Sequence, residues 1–346
     1  MVSMFKSLLS LIIPNQYKPL LLLKYKKLQF LYFSLFRKIH TLALPKIVKQ
    51  KLLKDEVFVN LCSGEVILNE YINIDLDSRS ELKLDLEKRL IPFQDNSIDR
   101  VVIMSAINYF TYDRASIIID DIYRILKPGG IIRVGVQDLE LISKKYLDKD
   151  YKFFFQTNKS FMQRFHGETL GDKINYFFYR GGSGIRNKHH KYMWDFNSLK
   201  FLFHNSGFEK IENKNYLESS IPNIDKIDNR AEMFFYLEAS KPNELDYFKK
   251  ALILLKSGKN NQSWQMVLKA LDINLYNTDI VKHALQIMID EKCIESAKKL
   301  VLDYSSKEKI ENIRSFKRKL DKSLEIENQE IIAKNRNRLE DLFNNG

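Results

Sequence analysis

The clearest signal along the chain is a series of short apolar bursts, each closing on turn-forming or acidic residues. Val57-Phe58-Val59-Asn60-Leu61 runs into Cys62-Ser63-Gly64, Tyr71-Ile72-Asn73-Ile74 ends on Asp75, and Leu82-Lys83-Leu84 ends on Asp85. Such bursts predict parallel strands, because a strand buried on both faces shows no polar alternation. Val101-Val102-Ile103-Met104 predicts a fourth strand, reached through the turn-rich residues 92–99. Over residues 111–126 the period becomes helical, with Ile117, Ile118, Asp121, Ile122 and Ile125 on a mostly apolar face and Thr111 or Asp113 as the cap. Lys127-Pro128-Gly129-Gly130 stops that helix, and residues 131–136 form a fifth strand followed by Asp138. Strand, helix and strand joined this closely imply a right-handed crossover and a parallel sheet. Residues 208–211 and 233–239 supply two last strands, paired antiparallel at the sheet edge, after a helix at 198–205 capped by Asn197.

The flanking segments follow other patterns. In residues 20–39, Leu21, Tyr25, Leu28, Tyr32, Leu35 and Ile39 form one stripe with lysines opposite, an N-terminal amphipathic helix. Such a helix suits either an anionic membrane surface or the chain's own α/β unit. Residues 137–191 are the most aromatic part and carry the loop Gly181-Gly182-Ser183-Gly184, a combination suited to a lid over a ligand, although many of the rings also suit a helical core. From residue 243 a period of about 33 residues pairs Ala251 with Ala284, Gly258 with Glu291, Trp264 with Ala297 and Leu271 with Tyr304. The expected organisation is therefore an arm (1–54), an α/β domain (55–242) and an all-α helical-repeat region (243–346).

Charge sharpens this division. Of the net +12, residues 1–54 contribute eleven Lys/Arg and no Asp or Glu, whereas residues 55–240 sum to about −3 and residues 241–346 to about +4. A basic arm on a near-neutral body suits docking on an acidic surface. It does not suit a groove that tracks nucleic-acid phosphates, so no nucleic-acid partner is expected. Residues 4–13 lack a cleavage site and are stopped by Pro14, and no stretch reaches about 18 uncharged apolar residues. The expected location is the cytoplasm, with peripheral contact on the inner face of the membrane. Cys62 and Cys293 are far apart, and no Cys/His cluster with zinc spacing occurs, so no metal site is expected.

Three neighbouring strand ends offering a close-approach glycine and two carboxylates suit a nucleoside. Taken in order, Val59-Asn60-Leu61-Cys62-Ser63-Gly64, Asn73-Ile74-Asp75, Asp85, residues 92–99 and Leu126-Lys127-Pro128-Gly129-Gly130 resemble the class I S-adenosylmethionine-dependent methyltransferases, in particular the type 11 group and its relatives in bacterial surface-polysaccharide loci. The helical tail resembles a degenerate pair of tetratricopeptide repeats. The resemblance implies a Rossmann-like seven-stranded methyltransferase sheet with S-adenosyl-L-methionine as cofactor. It places Leu61, Cys62, Ser63 and Gly64 at the methionine part, Asp75 at the ribose, Asp85 at the adenine, Ser105 and Asn108 beside the transferable methyl, and Asn60, Leu76 and Leu86 also at the cofactor. Where the family begins its turn with glycine, this chain has Cys62. Asp75 comes only eleven positions after Gly64, little room for a full first helix.

Methyl transfer to a sugar hydroxyl needs a base. His189 is the first candidate, with Asp138 and Tyr192 on the same rim. The expected activity is O-methylation of a saccharide or lipid-linked glycan. The alternative is a catalytically silent cofactor-binding domain that serves as a scaffold for a protein partner of the helical repeats.

Overall fold

The computed structural model describes residues 44–156, 167–179, 189–274, 277 and 280. The amphipathic stripe of residues 20–39, the glycine loop at 181–184 and the repeat positions 284, 291, 297 and 304 lie outside the described residues. The chain divides into two compact units, residues 1–242 and 243–346.

In the first unit, α1 (Lys46–Lys51) precedes β1 (Phe58–Leu61), β2 (Tyr71–Asp75), β3 (Leu82–Lys83) and β4 (Ile98–Met104). Then come α2 (Tyr112–Ile125), β5 (Leu126–Gln137), α3 (Leu139–Leu147), α4 (Tyr151–Phe155), α5 (Leu170–Tyr179), α6 (Phe196–Asn205), β6 (Glu209–Lys214), α7 (Ile224–Ile227) and β7 (Phe234–Ser240). The strands form one seven-stranded sheet in the order β3-β2-β1-β4-β5-β7-β6. β1 to β5 run parallel, whereas β7 lies antiparallel to both β5 and β6.

The apolar bursts are buried on both faces because each face has its own cover. Val101, Ile103, Ile132 and Val134 join the main core with Ala115, Ile118, Ile119, Ile122 and Ile125 of α2 and Leu199, Leu202 and Phe203 of α6. Val102, Phe58 and Tyr71 point the other way, onto Leu68, Ile221 and Ile227. None of the links β1–β2, β2–β3 and β3–β4 holds a helix. Over β5 and β7 that second face carries a buried ion network. Arg133, fully buried in β5, donates to both carboxylate oxygens of Asp228 at 2.8 and 2.6 Å, to Glu238 at 3.3 Å and to the carbonyls of Glu218 and Asn215.

Several expectations change in detail. Thr111 is the cap of α2, its side chain accepting from the Arg114 N–H. Ile117 is 44% exposed and lies off the buried face, which Ala115 and Ile119 complete instead. Asp121 stays buried because it accepts from the Ile91 N–H and from Arg124, fixing the approach to β4. The cap of α6 is Asp195, in a capping box with Ser198, not Asn197, which lies within the first turn. The Lys127–Gly130 stop belongs to β5, opposite an irregularity in β4 between Ile98 and Arg100. Gly130 is required there, since an added Cβ would sit 2.8 Å from the Lys127 carbonyl oxygen. The aromatic stretch is in part core: Phe153, Phe154, Tyr176 and Phe177 are buried with Ile142 and Met233, while Tyr151 is exposed.

The second unit begins with α8 (Glu244–Lys256), capped by Asn243 in a capping box with Asp246, and α9 (Asn260–Ile273). Ala251, Val267, Ala270 and Leu271 are buried there, and the Ser263 hydroxyl donates to the Ala251 carbonyl at 2.7 Å.

Candidate functional site

The carboxyl ends of β2, β1, β4 and β5 form one edge, and the predicted residues gather along it. β1 ends at Leu61, a core residue, and the chain turns at once: Cys62 has φ 55° and Gly64 φ 52°. The left-handed conformation at Cys62 is the one glycine adopts without cost, so the turn is kept at an expense of roughly 1–3 kcal/mol for an L side chain. Space beside Gly64 is open, with nothing within 4 Å of an added Cβ.

Asp75 reaches from the end of β2 to that turn. One carboxylate oxygen accepts from the Gly64 N–H at 3.0 Å, the other from the Leu76 and Asp77 N–H groups at 2.6 and 2.9 Å. The Leu84 N–H bonds the Asp75 carbonyl, which brings Asp85 to the same edge. Asp85 is more lightly held, by the Glu87 N–H at 3.1 Å with Lys88 at 3.8 Å. Leu86 is buried, and its carbonyl accepts from Arg114.

Asn60 serves the walls of the site. Its side chain donates to the Val66 carbonyl and to Asn73, and Asn73, fully buried, also bonds Leu68 and Tyr71. This amide pair folds the link between β1 and β2 in place of a helix. Asn73 has no place among the predicted site residues, although a polar side chain inside an apolar burst was the available signal.

Past β4, Ser105 has φ 57° and Asn108 is fully buried. The Asn108 side chain donates to Gln137 at the end of β5, and its carbonyl accepts from the Lys191 and Tyr192 N–H groups. Residues 189–194 thereby cross the edge, and Lys191 reaches Glu87 beyond β3 at 2.5 Å. Tyr192 keeps 36% exposure, its ring centroid 4.4 Å from that of the buried Trp194 and 5.5 Å from that of Tyr112.

Asp138 bridges to Trp194 and caps α3, one oxygen accepting from the Glu140 and Leu141 N–H groups at 3.0 and 3.3 Å. Burial pushes its carboxyl above the ordinary value of 3.8, helped by the nearby charges of Glu140 and Asp195 and opposed by those two hydrogen bonds. Of the two histidines, His189 is exposed. His190 is the buried one, its Nδ1 within 2.6 Å of the Phe177 carbonyl and its ring edge-on to Tyr109, and burial lowers its pKa.

The edge fits a sulfonium nucleoside. Ser63 Oγ and Asn108 Oδ1 are buried without a hydrogen-bond partner, Ser63 in the first turn and Asn108 just past β4, where amino and hydroxyl donors of a ligand would satisfy them. Among the described residues, no group of three or more His, Cys, Asp or Glu is placed to hold a metal ion.

A comparison with curated protein sequences finds no match. Among solved structures, the chain is similar to an S-adenosylmethionine-dependent methyltransferase of Thermotoga maritima, a possible histamine N-methyltransferase. The two are 19% identical over 56% of this chain and 85% of that one, with a TM-score of 0.32. It is also similar to an S-adenosylmethionine-dependent methyltransferase of Methanosarcina mazei, with 16% identity, 57% and 98% coverage and a TM-score of 0.34. A third is phosphoethanolamine N-methyltransferase 2 of Haemonchus contortus in complex with S-adenosyl-L-methionine, with 12% identity, 57% and 52% coverage and a TM-score of 0.30. The family model for a methyltransferase domain matches residues 67–134, from the link before β2 to the middle of β5. The matched residues, β2 to the middle of β5 in a sheet ordered β3-β2-β1-β4-β5-β7-β6, are thus similar to a methyltransferase domain, and the cofactor this similarity supports is S-adenosylmethionine.

Proposed function

We propose that the chain transfers a methyl group from S-adenosylmethionine to a hydroxyl of a saccharide or lipid-linked glycan. The observation that carries this reading is the convergence of Asp75, Asp85, Asn108 and Asp138 on one sheet edge, with two buried polar atoms there left for a ligand to satisfy. The bound cofactor supplies an electrophilic methyl on a sulfonium. The chain's own residues bind and orient: Asp75 offers a carboxylate to ribose hydroxyls, Asp85 offers one to the adenine amino group, and Ser63 and Asn108 offer acceptors near the methionine and methyl ends.

The acceptor class is supported by the partly exposed Tyr192 ring, a flat apolar surface packed with Trp194 and Tyr112, which suits the CH face of a pyranose. A silent scaffold is not favoured, because the family match and the orphaned polar atoms both belong to a ligand-binding edge. The test is the formation of S-adenosylhomocysteine and a methylated product when the full chain meets S-adenosylmethionine and a panel of methyl glycosides of hexoses and deoxyhexoses. Product with any of them supports the reading; cofactor binding with no product on any overturns it.

The basic arm supports a peripheral membrane position. In its last residues, Leu53 is 86% exposed and Ile47 45% exposed, next to Lys46, Lys49 and Lys54. Among the described residues no helix is long and apolar enough to cross a membrane. Deleting residues 1–42, which spares the buried Leu44 and Val48, should abolish sedimentation with anionic vesicles; equal sedimentation of both forms refutes this. A protein partner of the helical unit remains part of the proposal, supported by the 33-residue period alone.

A further inference from the structure

Resting on the methyltransfer reading, we infer that Asp138, rather than His189, is the catalytic base that takes the acceptor's proton.

Four observations carry this. Asp138 follows β5 directly, next to the strand end where Asn108 and Gln137 pair, the end of the edge that the methyltransfer reading gives to the methyl. It is fixed, since its backbone N–H bonds the Met233 carbonyl and one carboxylate oxygen is held by two N–H groups of α3. The other oxygen, Oδ2, takes no hydrogen bond among the described residues and can accept a proton without breaking the cap. The exposed phenol ring of Tyr192 lies against Trp194, the residue whose backbone is bridged to that of Asp138, so an acceptor-sized surface belongs to the segment paired with Asp138.

The histidines are less suited. The His190 ring is committed to the Phe177 carbonyl, and the exposed His189 ring has no hydrogen bond to hold it among the described residues. A base must be held within reach of its proton, which favours the fixed group over the solvated one.

The acceptor oxygen forms its bond to the methyl carbon as the carbon–sulfur bond breaks and its electron pair stays on sulfur; the hydroxyl proton passes to Asp138 Oδ2 and then to water. The charged groups acting on Asp138 are Glu140 on its own helix and Asp195 on the bridged segment. Both are negative, and together with burial they raise its basicity toward the working range.

Asp138→Asn is the discriminating variant, because asparagine caps a helix as well as aspartate and keeps the oxygen that Glu140 and Leu141 use. Turnover of the methyl-glycoside panel should fall by about 100-fold or more, with binding of S-adenosylhomocysteine by calorimetry unchanged within about twofold. In the wild type, kcat/KM should rise with pH through the base's titration, a limb that the variant lacks. Without cofactor, the side-chain carboxyl 13C signal that disappears in Asp138→Asn should titrate above the usual carboxylate range. A variant that turns over within about threefold of wild type with the same pH limb overturns the assignment, as does an ordinary carboxyl titration. A wild-type chain that methylates nothing overturns the functional reading and this inference together, and that failure shows in the wild type rather than in the variant.

Discussion

Replacing Asp75 by asparagine separates the two tasks this side chain performs. Its carboxylate ties the β1 turn to the end of β2 through three N–H groups, at 3.0 Å from Gly64, 2.6 Å from Leu76 and 2.9 Å from Asp77. Asparagine matches the size and keeps one oxygen. If that oxygen holds the Leu76 and Asp77 N–H groups, the new NH2 faces the Gly64 N–H, donor against donor. A hydrogen bond to a charged group contributes about 1.5–3 kcal/mol, so folding stability should drop by roughly 2 kcal/mol. At a urea slope of about 2 kcal/mol per molar, the midpoint then moves down by about 1 M. Loss of the charged acceptor for ribose hydroxyls removes a similar amount from binding, about 10- to 150-fold in Kd for S-adenosylhomocysteine. Asp85→Asn is the control. Asp85 holds a single N–H at 3.1 Å and a distant lysine, so its loss should cost stability under about 1 kcal/mol while weakening the ligand comparably. The assays are urea denaturation and isothermal titration on the same preparations. If Asp75→Asn loses the expected stability yet binds within threefold of wild type, Asp75 is a turn residue only and its cofactor role fails.

Two further substitutions probe the frame around the edge. Arg133→Met leaves Asp228 and Glu238 buried beside missing donors and should cost about 3–5 kcal/mol, of which adding Asp228→Leu should restore about 2 kcal/mol or more. Fluorescence of Trp194 in a Trp264→Phe background reads this unit alone, and a loss below about 1 kcal/mol would show that the network contributes little. At the strained first turn, Cys62→Gly should be more stable than Cys62→Ala by about 1 kcal/mol, since both delete the thiol and only alanine keeps the left-handed penalty. Equal denaturation midpoints would mean that the turn relaxes.

The strands were legible because burial on both faces leaves an apolar burst, and Asp75 and Asp85 were legible because a burst that closes on a carboxylate marks a strand end. The starts of β4 and β5 were not, since residues 98–100 and 126–130 pair across an irregularity that breaks the pattern. Arg133 gave no local sign of its burial: its partners Asp228 and Glu238 are about a hundred residues away, and no periodicity reports such contacts. Asp195 and Asn197 have similar capping chemistry, so only the backbone decides between them. Adjacent histidines in a loop pose the same difficulty, because no repeat fixes which ring turns inward, and the structure buries His190. Asn60 was placed at the ligand by resemblance, and its bonds to Val66 and Asn73, which hold the link between β1 and β2, could not be read from the sequence.

Titrating the 15N-labelled full chain with S-adenosylhomocysteine reads residue by residue whether the carboxyl edge of the parallel strands holds the cofactor. Saturable shifts are expected of the Gly64, Leu76, Leu86, Ser105 and Asn108 amides, with Val57, Asp99 and Gly129 at the opposite edge unmoved. Shifts confined to that opposite edge, or none at millimolar ligand, would contradict it.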